Sequence, residues 1–119
     1  MINYKYIGNL KNDKKEGKGI LYYNNGNKYE GEFKNDKKEG KGIMLYNDGD
    51  KYEGEFKDDK KDGKGIYYFN SQGWNGAIYV GDFKNDKREG KGIFYYKNGD
   101  RYEGEYNNDK RNGRGVLWG

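Results

Sequence analysis

Carboxylates, lysines and tyrosines are the side chains with chemical potential that this chain carries in number. The 119 residues include no Cys, no His and no Thr, and Ser71 is the single serine. A thiolate nucleophile, an imidazole base, a Cys/His zinc site and a disulfide framework are therefore excluded. Carboxylate pairs such as Glu30 and Glu32 recur along the chain, which indicates a repeated surface pattern and not a tuned acid/base pair. The sequence predicts a protein that is not an enzyme and that uses no cofactor or metal.

Two patterns look like ligand-binding motifs but lack essential features of them. GKG triplets begin at positions 17, 40, 63 and 90, yet a dinucleotide fingerprint needs a third glycine and a crossover helix, and neither follows. The stretches DDKKDG and NDGD lack the alternating oxygen ligands and the terminal glutamate of a calcium loop. We interpret the triplets as strand glycines and the aspartate-rich stretches as turns.

Composition makes disorder the first alternative to a folded domain. Charged residues make up 37% of the chain and hydrophobic residues 31%, and the mean hydropathy is -1.48. A net charge of only +4 and an aromatic content of 18% argue against disorder. The first ten residues contain no apolar signal-peptide core, and no apolar run approaches the roughly 18 residues of a membrane span. We expect a cytoplasmic protein that could act at the periphery of a membrane or the cytoskeleton.

One segment is repeated along the whole chain. The copies start at Tyr6, Tyr29, Tyr52, Tyr79 and Tyr102, so successive starts differ by 23, 23, 27 and 23 residues. The longer step contains a four-residue insertion within residues 70–77, which includes Trp74, and the last copy stops after 18 residues. We therefore predict a single repeat domain over residues 1–119 with five units, the last one incomplete.

Each unit alternates with a period of two, which predicts β-strands. In YEGEF, Tyr29 and Phe33 fall on one face of the strand and the two glutamates on the other. A seven-residue polar loop at 34–40 then leads to a second strand at 41–46, and Asn-Gly or Asp-Gly pairs supply the positive φ of a tight hairpin turn. The prediction is an all-β, single-layer twisted antiparallel meander, with the loops on one edge and the turns on the other.

The spacing of tyrosine, glycine and aromatic residues in YxGxφ, followed by GxGxφxφ and a glycine turn, resembles the membrane occupation and recognition nexus (MORN) repeat. The resemblance covers residues 6 to 119 and implies an open-ended sheet with a concave aromatic groove. It also implies a scaffold for protein interaction, dimerisation or membrane association. The second strand departs from the family pattern because it is apolar on both faces, at Ile20, Ile43, Ile66, Ile93 and Val116 and at Tyr22, Leu45, Tyr68, Tyr95 and Trp118.

An aromatic face is the first candidate binding site. Its residues could be core alone, or core with ring edges that remain available to a ligand, because a single sheet has no covering layer. The predicted partner groove consists of Tyr29, Phe33, Met44, Tyr46, Tyr52, Phe56, Tyr67, Phe69, Tyr79, Phe83, Phe94 and Tyr96.

A basic loop edge is the second candidate. The five loop segments equivalent to residues 34–41 carry a net charge of +9, so the remainder of the chain carries -5. This edge could be ordinary solvated loops or could contact an anionic membrane or a phosphoinositide. Nucleic acid is disfavoured because Asp36, Glu39 and their equivalents lie among the lysines. The predicted basic edge consists of Lys37, Lys38, Lys60, Lys61, Lys87, Arg88, Lys110 and Arg111.

The sequence therefore predicts a non-catalytic scaffold whose aromatic groove binds a peptide or helix of a partner protein. Strand residues that are apolar on the second face could support a homo-oligomer. The alternative is peripheral binding to anionic lipid through the basic edge.

Overall fold

A computed structural model describes residues 4–71 and 75–119, which form one antiparallel sheet. Its strands pair in sequence order, each with its neighbours in the chain. The all-β hairpin meander predicted from the sequence is confirmed. The strands are β1 (Tyr4–Lys11), β2 (Lys14–Tyr23), β3 (Lys28–Lys34), β4 (Lys37–Leu45), β5 (Lys51–Lys57), β6 (Lys60–Tyr68), β7 (Ile78–Lys84), β8 (Lys87–Tyr95), β9 (Arg101–Asn107) and β10 (Lys110–Trp118).

The sheet has two chemically different faces. The aromatic face carries the tyrosine and phenylalanine of β3, β5 and β7, such as Tyr29 and Phe33, and the two tyrosines of β9, and buries them. The opposite face carries residues such as Ile43, and we call it the isoleucine face. Ten strands spaced by about 4.8 Å account for the long dimension of the molecule. The extents are 51 × 24 × 19 Å, and the third dimension is too large for a flat layer, so the sheet is strongly twisted.

A continuous row of aromatic rings forms the core without a second layer. Tyr52 has no exposed surface, and its ring meets Phe56 of its own repeat and Phe83 of the next at centroid distances of 5.1 Å, both edge to face. The same alternation continues on either side, from Tyr29 to Tyr79. Edge-to-face pairs are favourable beyond the area that they bury. Each tyrosine thus connects two repeats.

Glycine in the middle of each strand makes room for these rings. A Cβ added at Gly65 would lie 2.5 Å from Cε1 and 2.6 Å from Cζ of Tyr52. The hydroxyl of Tyr52 then passes beyond the glycine and donates a hydrogen bond of 2.8 Å to the carbonyl of Glu55. The ring can lie flat on the sheet only because both neighbouring strands have glycine at this level, where Gly54 pairs with Gly65.

The predicted seven-residue polar loop at 34–40 is wrong. β3 ends at Lys34 and β4 begins at Lys37, so Asn35 and Asp36 alone form the connection. Their φ angles of 49° and 70° are those of a type I′ turn, whose twist matches that of a hairpin. Residues 37–40 are strand, with an irregular register between Gly31 and Phe33 that accommodates extra residues of β4. Asparagine and aspartate tolerate the left-handed region, which lets them replace the expected Asn-Gly signal.

The type I′ turns also join consecutive repeats. Asp59 donates its backbone N–H to the carbonyl of Lys38 at 3.0 Å, and its carboxylate accepts the backbone N–H of Lys38 at 2.7 Å. The same reciprocal pair recurs in the other junctions, as between Asp86 and Lys61. On the opposite edge, glycines such as Gly49 have positive φ, with a value of 96°.

Candidate protein-interaction surfaces

The predicted partner groove lies on the aromatic face but is largely filled by its own side chains. Eight of its twelve residues are buried, which leaves Tyr46, Tyr67, Phe69 and Tyr96 half-buried at the margin of the core. Between Tyr67, Phe69 and Phe83, the face has a cavity of about 210 Å³. The rings serve mainly as core, and the space left for a ligand is small.

Three residues of the predicted basic edge fold back onto the aromatic face. Lys61 has a side chain only 14% exposed, pairs with Asp86 at 3.8 Å and lies 5.7 Å from the centre of the Tyr52 ring. Burial lowers the pKa of the Lys61 ammonium. Lys38 and Arg88 make equivalent ion pairs and ring contacts. The predicted residues Lys37, Lys60, Lys87, Lys110 and Arg111 are exposed, and the guanidinium of Arg111 lies over the Tyr102 ring.

Pairs of exposed lysines flank the type I′ turns. Lys34 is directly opposite Lys37 across the hairpin, and Lys57 is directly opposite Lys60. Two further turns have the same arrangement, with Lys11 opposite Lys14 and Lys84 opposite Lys87. Like charges directly opposite each other destabilise a sheet, so this arrangement has a cost that recurs in four repeats. The sequence interpretation placed these segments in loops and therefore missed the pairing.

Burial controls the ionisation of the tyrosines. It raises the pKa of Tyr46 to about 12 and that of Tyr106 to about 12. Burial also raises the pKa of Tyr67, and the hydrogen bond that its hydroxyl donates to Asp50 acts in the same direction. These tyrosines are therefore neutral at physiological pH.

A buried carboxylate supports the four-residue insertion. Asp50 is 5% exposed and accepts hydrogen bonds from the Tyr67 hydroxyl at 2.8 Å, the Asn70 backbone N–H at 2.6 Å and the Ser71 hydroxyl at 3.2 Å. These bonds fix the start of the longer connection to the preceding repeat. Trp74, predicted as an aromatic feature of this insertion, lies outside the described residues.

A long groove lies on the isoleucine face. Its volume is about 920 Å³ between β1 and β6, and further stretches of about 390 and 600 Å³ continue toward β10. Its floor is the backbone of the central glycines, whose other side is covered by the tyrosine rings. Residues such as Ile20, Ile43 and Glu30 form one wall, and Lys18 and Lys41 contribute to the other.

Charges on the lysine wall are arranged so that ammonium groups remain available. The carboxylate of Glu32 accepts the backbone N–H of Lys41 at 3.1 Å, and that of Glu55 accepts the backbone N–H of Lys64 at 2.9 Å. The acidic side chains are thus partly satisfied by the sheet itself. Lys64 pairs with Asp82 at 2.8 Å. Ion-pair partners for the exposed amines of Lys18 and Lys41 are not found among residues 4–71 and 75–119.

Sequence reasoning treated this face as a back surface and did not identify it as a groove. The available signals were a glycine at the centre of every strand and the apolar residues on both faces of each even-numbered strand. The sequence did not reveal the position of the tyrosine rings. These rings cover one side of the glycines and leave the other side uncovered.

Two features are absent from the described residues, a metal-binding cluster of acidic side chains and a membrane-spanning helix. Within them, three or more Asp or Glu residues do not come together in a group that could hold a metal ion. The described part of the chain also contains no helix with the length and apolar character needed to span a membrane.

An open single-layer meander with grooves on its surface is the architecture of a repeat module for interactions. Residues 6–28, 29–51, 52–74, 79–101 and 102–119 each match the MORN repeat. The chain therefore belongs to the MORN repeat family, and the resemblance inferred from its sequence is confirmed.

A solved structure supports the fold independently. The chain is similar to the TCP domain of SAS-4 (dCPAP) from Drosophila melanogaster, solved in complex with a proline-rich motif of Ana2 (dSTIL). The TM-score is 0.54 at 20% sequence identity, and the match covers 88% of this chain and 55% of that one. The chain thus spans about half the length of that structure. No curated protein matches it significantly in sequence.

Proposed function

We propose that this chain is a non-catalytic interaction module that binds an extended segment of a partner protein along the groove of the isoleucine face. The observation that carries the proposal is the glycine-floored groove of about 920 Å³, which lies on a sheet face without a covering layer in the described structure. A long open groove suits a peptide better than a small molecule, whose sites are concave and enclose most of the ligand. The similar fly domain, solved with a peptide motif of another protein, supports this proposal by analogy.

The aromatic face remains the competing site for the same function. Four half-buried rings, including Tyr46 and Tyr67, border it, and the sequence alone favoured it. Its cavity of about 210 Å³ is less than a quarter of the groove volume on the isoleucine face. Partner binding there would also have to displace the ion pair between Lys61 and Asp86, which lines the cavity.

Selection from a random peptide library distinguishes the two faces. Phage carrying 12-residue peptides would be selected on the immobilised chain, and the enriched peptides tested by fluorescence anisotropy against two variants. Ile43→Lys places a charge in the groove wall, whereas Tyr46→Ser changes the aromatic face. We expect Ile43→Lys to abolish binding and Tyr46→Ser to preserve it, with unchanged far-UV circular dichroism for both. The reverse result would transfer the function to the aromatic face, and a failure to enrich any peptide would contradict the proposal.

Binding to an anionic membrane is a second candidate, favoured by the lysine pairs at the type I′ turns. Near the surface of an anionic bilayer, each lysine contributes about 1 kcal/mol to the free energy of binding. This contribution can offset the repulsion between the two lysines that face each other across a hairpin. Sedimentation with vesicles of phosphatidylcholine and phosphatidylserine should show binding that weakens steeply with salt. Charge reversal at Lys37, Lys60 and Lys87 should remove it. Binding that persists in this triple variant would contradict the lysine-pair mechanism.

A further inference from the structure

The groove of the isoleucine face repeats at a distance that fits one type of extended chain. We infer that the bound segment is a polyproline II helix with an apolar residue, preferably proline, at every third position and an acidic residue beside it. This inference rests on the proposed function, since it specifies the partner of the same groove.

The distance between equivalent side chains of successive repeats matches the pitch of a polyproline II helix. Equivalent side chains, such as Ile20 and Ile43, are two strands apart, because β2 and β4 are separated only by β3. Strands lie about 4.8 Å apart, so the groove repeats about every 9.6 Å. A polyproline II helix rises about 3.1 Å per residue with three residues per turn, or about 9.3 Å per turn. One turn of the ligand therefore meets one repeat of the sheet.

Other regular conformations do not keep this register. Seven residues of an α-helix span about 10.5 Å, so the mismatch grows by about 1 Å with every repeat. Side chains on one face of a β-strand recur every 6.7 Å or so, which is not commensurate with the groove. For polyproline II the mismatch is about 0.3 Å per repeat, so its contacts stay aligned along the chain.

The groove walls match the chemistry of that ligand. Ile20, Ile43 and Ile66 provide an apolar contact once per repeat, which suits a proline at every third position. Lys18 and Lys41 stand on the other wall with exposed ammonium groups, also one repeat apart. Glu32 and Glu55 lie beside them, but their carboxylates accept backbone N–H groups of the sheet, so the ammonium groups favour an acidic residue in each turn. The third residue of each turn then faces solvent.

The bare glycine floor and the remaining carboxylates suit the backbone of such a ligand. Polyproline II has no internal hydrogen bonds, so the N–H of each non-proline residue needs a partner. Glu30 and Glu53 lie between the isoleucines of the wall and can accept these donors. The glycines allow the ligand backbone to approach closely.

A designed peptide tests this inference directly. Fluorescein-labelled (Pro-Glu-Ala)4 would be titrated with the whole chain by fluorescence anisotropy, beside a peptide of the same composition in shuffled order. We expect the shuffled peptide to bind at least about tenfold more weakly because it loses the aligned contacts of several turns. (Pro-Lys-Ala)4 keeps that alignment but places ammonium groups beside Lys18 and Lys41, so it should also bind at least about tenfold more weakly. Ile43→Lys should remove binding. Leu45→Lys is the matched control, because Leu45 lies on the same strand and face but outside the groove lining.

The outcomes separate this inference from the function on which it rests. If library peptides bind through the Ile43 wall but (Pro-Glu-Ala)4 binds no better than its shuffled form, the inference is overturned and the interaction module stands. If no library peptide binds in the groove, the proposed function fails as well. Equal loss of binding in Ile43→Lys and Leu45→Lys would overturn the assignment to the groove.

Discussion

Substitution of Gly65 by alanine tests whether the tyrosine layer depends on the central glycines. The added methyl group would lie 2.5 Å from Cε1 and 2.6 Å from Cζ of Tyr52, a ring with no exposed surface. Because the φ angle of Gly65 is not among the positive values, the backbone itself can accommodate alanine. The variant therefore isolates the steric conflict between the methyl group and the ring.

The expected cost follows from three contributions. Overpacking of a buried ring costs about 1 to 3 kcal/mol. Loss of the 2.8 Å hydrogen bond that the Tyr52 hydroxyl donates to the Glu55 carbonyl costs about 1 kcal/mol. Alanine also lowers the conformational entropy of the unfolded chain relative to glycine, which stabilises the folded state by about 0.5 kcal/mol. The net loss of about 1.5 to 3.5 kcal/mol corresponds to a fall in Tm of roughly 6 to 14 °C, from an unfolding entropy of about 2.1 cal/mol/K for each of 119 residues.

Thermal and urea unfolding followed by circular dichroism would measure this loss. Gly113→Ala is the control, because Gly113 has a φ of 74° and nothing within 4 Å of the added Cβ. It should lose about 1 kcal/mol from backbone conformation alone. In a double-mutant cycle, Tyr52→Leu should relieve part of the Gly65→Ala conflict, with a coupling energy above about 1 kcal/mol. A Gly65→Ala variant as stable as the parent, or a coupling near zero, would refute the packing argument.

Three further predictions concern acid, alkali and assembly. The Asp36 carboxylate accepts the backbone N–H of Lys15, and this hydrogen bond lowers the pKa of Asp36. The stability that the bond contributes should therefore be present above about pH 4 and be lost at lower pH. The urea midpoint of Asp36→Asn should fall less on acidification than that of the parent chain. Because burial raises the pKa of Tyr46 and Tyr106 to about 12, stability should be complete below about pH 10 and lost as pH rises toward 12. The tyrosinate absorbance of these two side chains should then appear together with unfolding, and their ionisation before unfolding would contradict their burial. Sedimentation velocity should show concentration-dependent association if the apolar residues of the isoleucine face join two copies, and a monomer at all concentrations would exclude it.

The strands and their faces could be predicted from the sequence because alternation and repetition reinforce each other in five copies. The lengths of the connections could not, because KNDKKEG contains the residues of a loop while only Asn35 and Asp36 form the turn, and Gly40, which also has positive φ, lies within β4. The reciprocal bonds between a turn and the preceding repeat join residues about 21 positions apart and leave no local signal. The residues of the aromatic face were identified, but whether their rings were open or packed depended on the glycines opposite them. The groove on the isoleucine face could not be predicted for the same reason, because its floor is the uncovered side of these glycines.

The two edges of the sheet differ in how freely they can change length during evolution. Each type I′ turn after the first is held by the preceding repeat through a reciprocal pair of hydrogen bonds, so an added residue there would break a junction. Hydrogen bonds to the preceding repeat occur at the other edge too, as from Asn47 to Asn27 and from Asn70 to Asp50. The insertion within residues 70–77 nevertheless leaves the pairing of Gly65 with Gly81 and of Gly81 with Gly92 in the usual register. Foreign loops grafted at this edge should therefore leave the array intact, which makes it the natural place to diversify or engineer the protein.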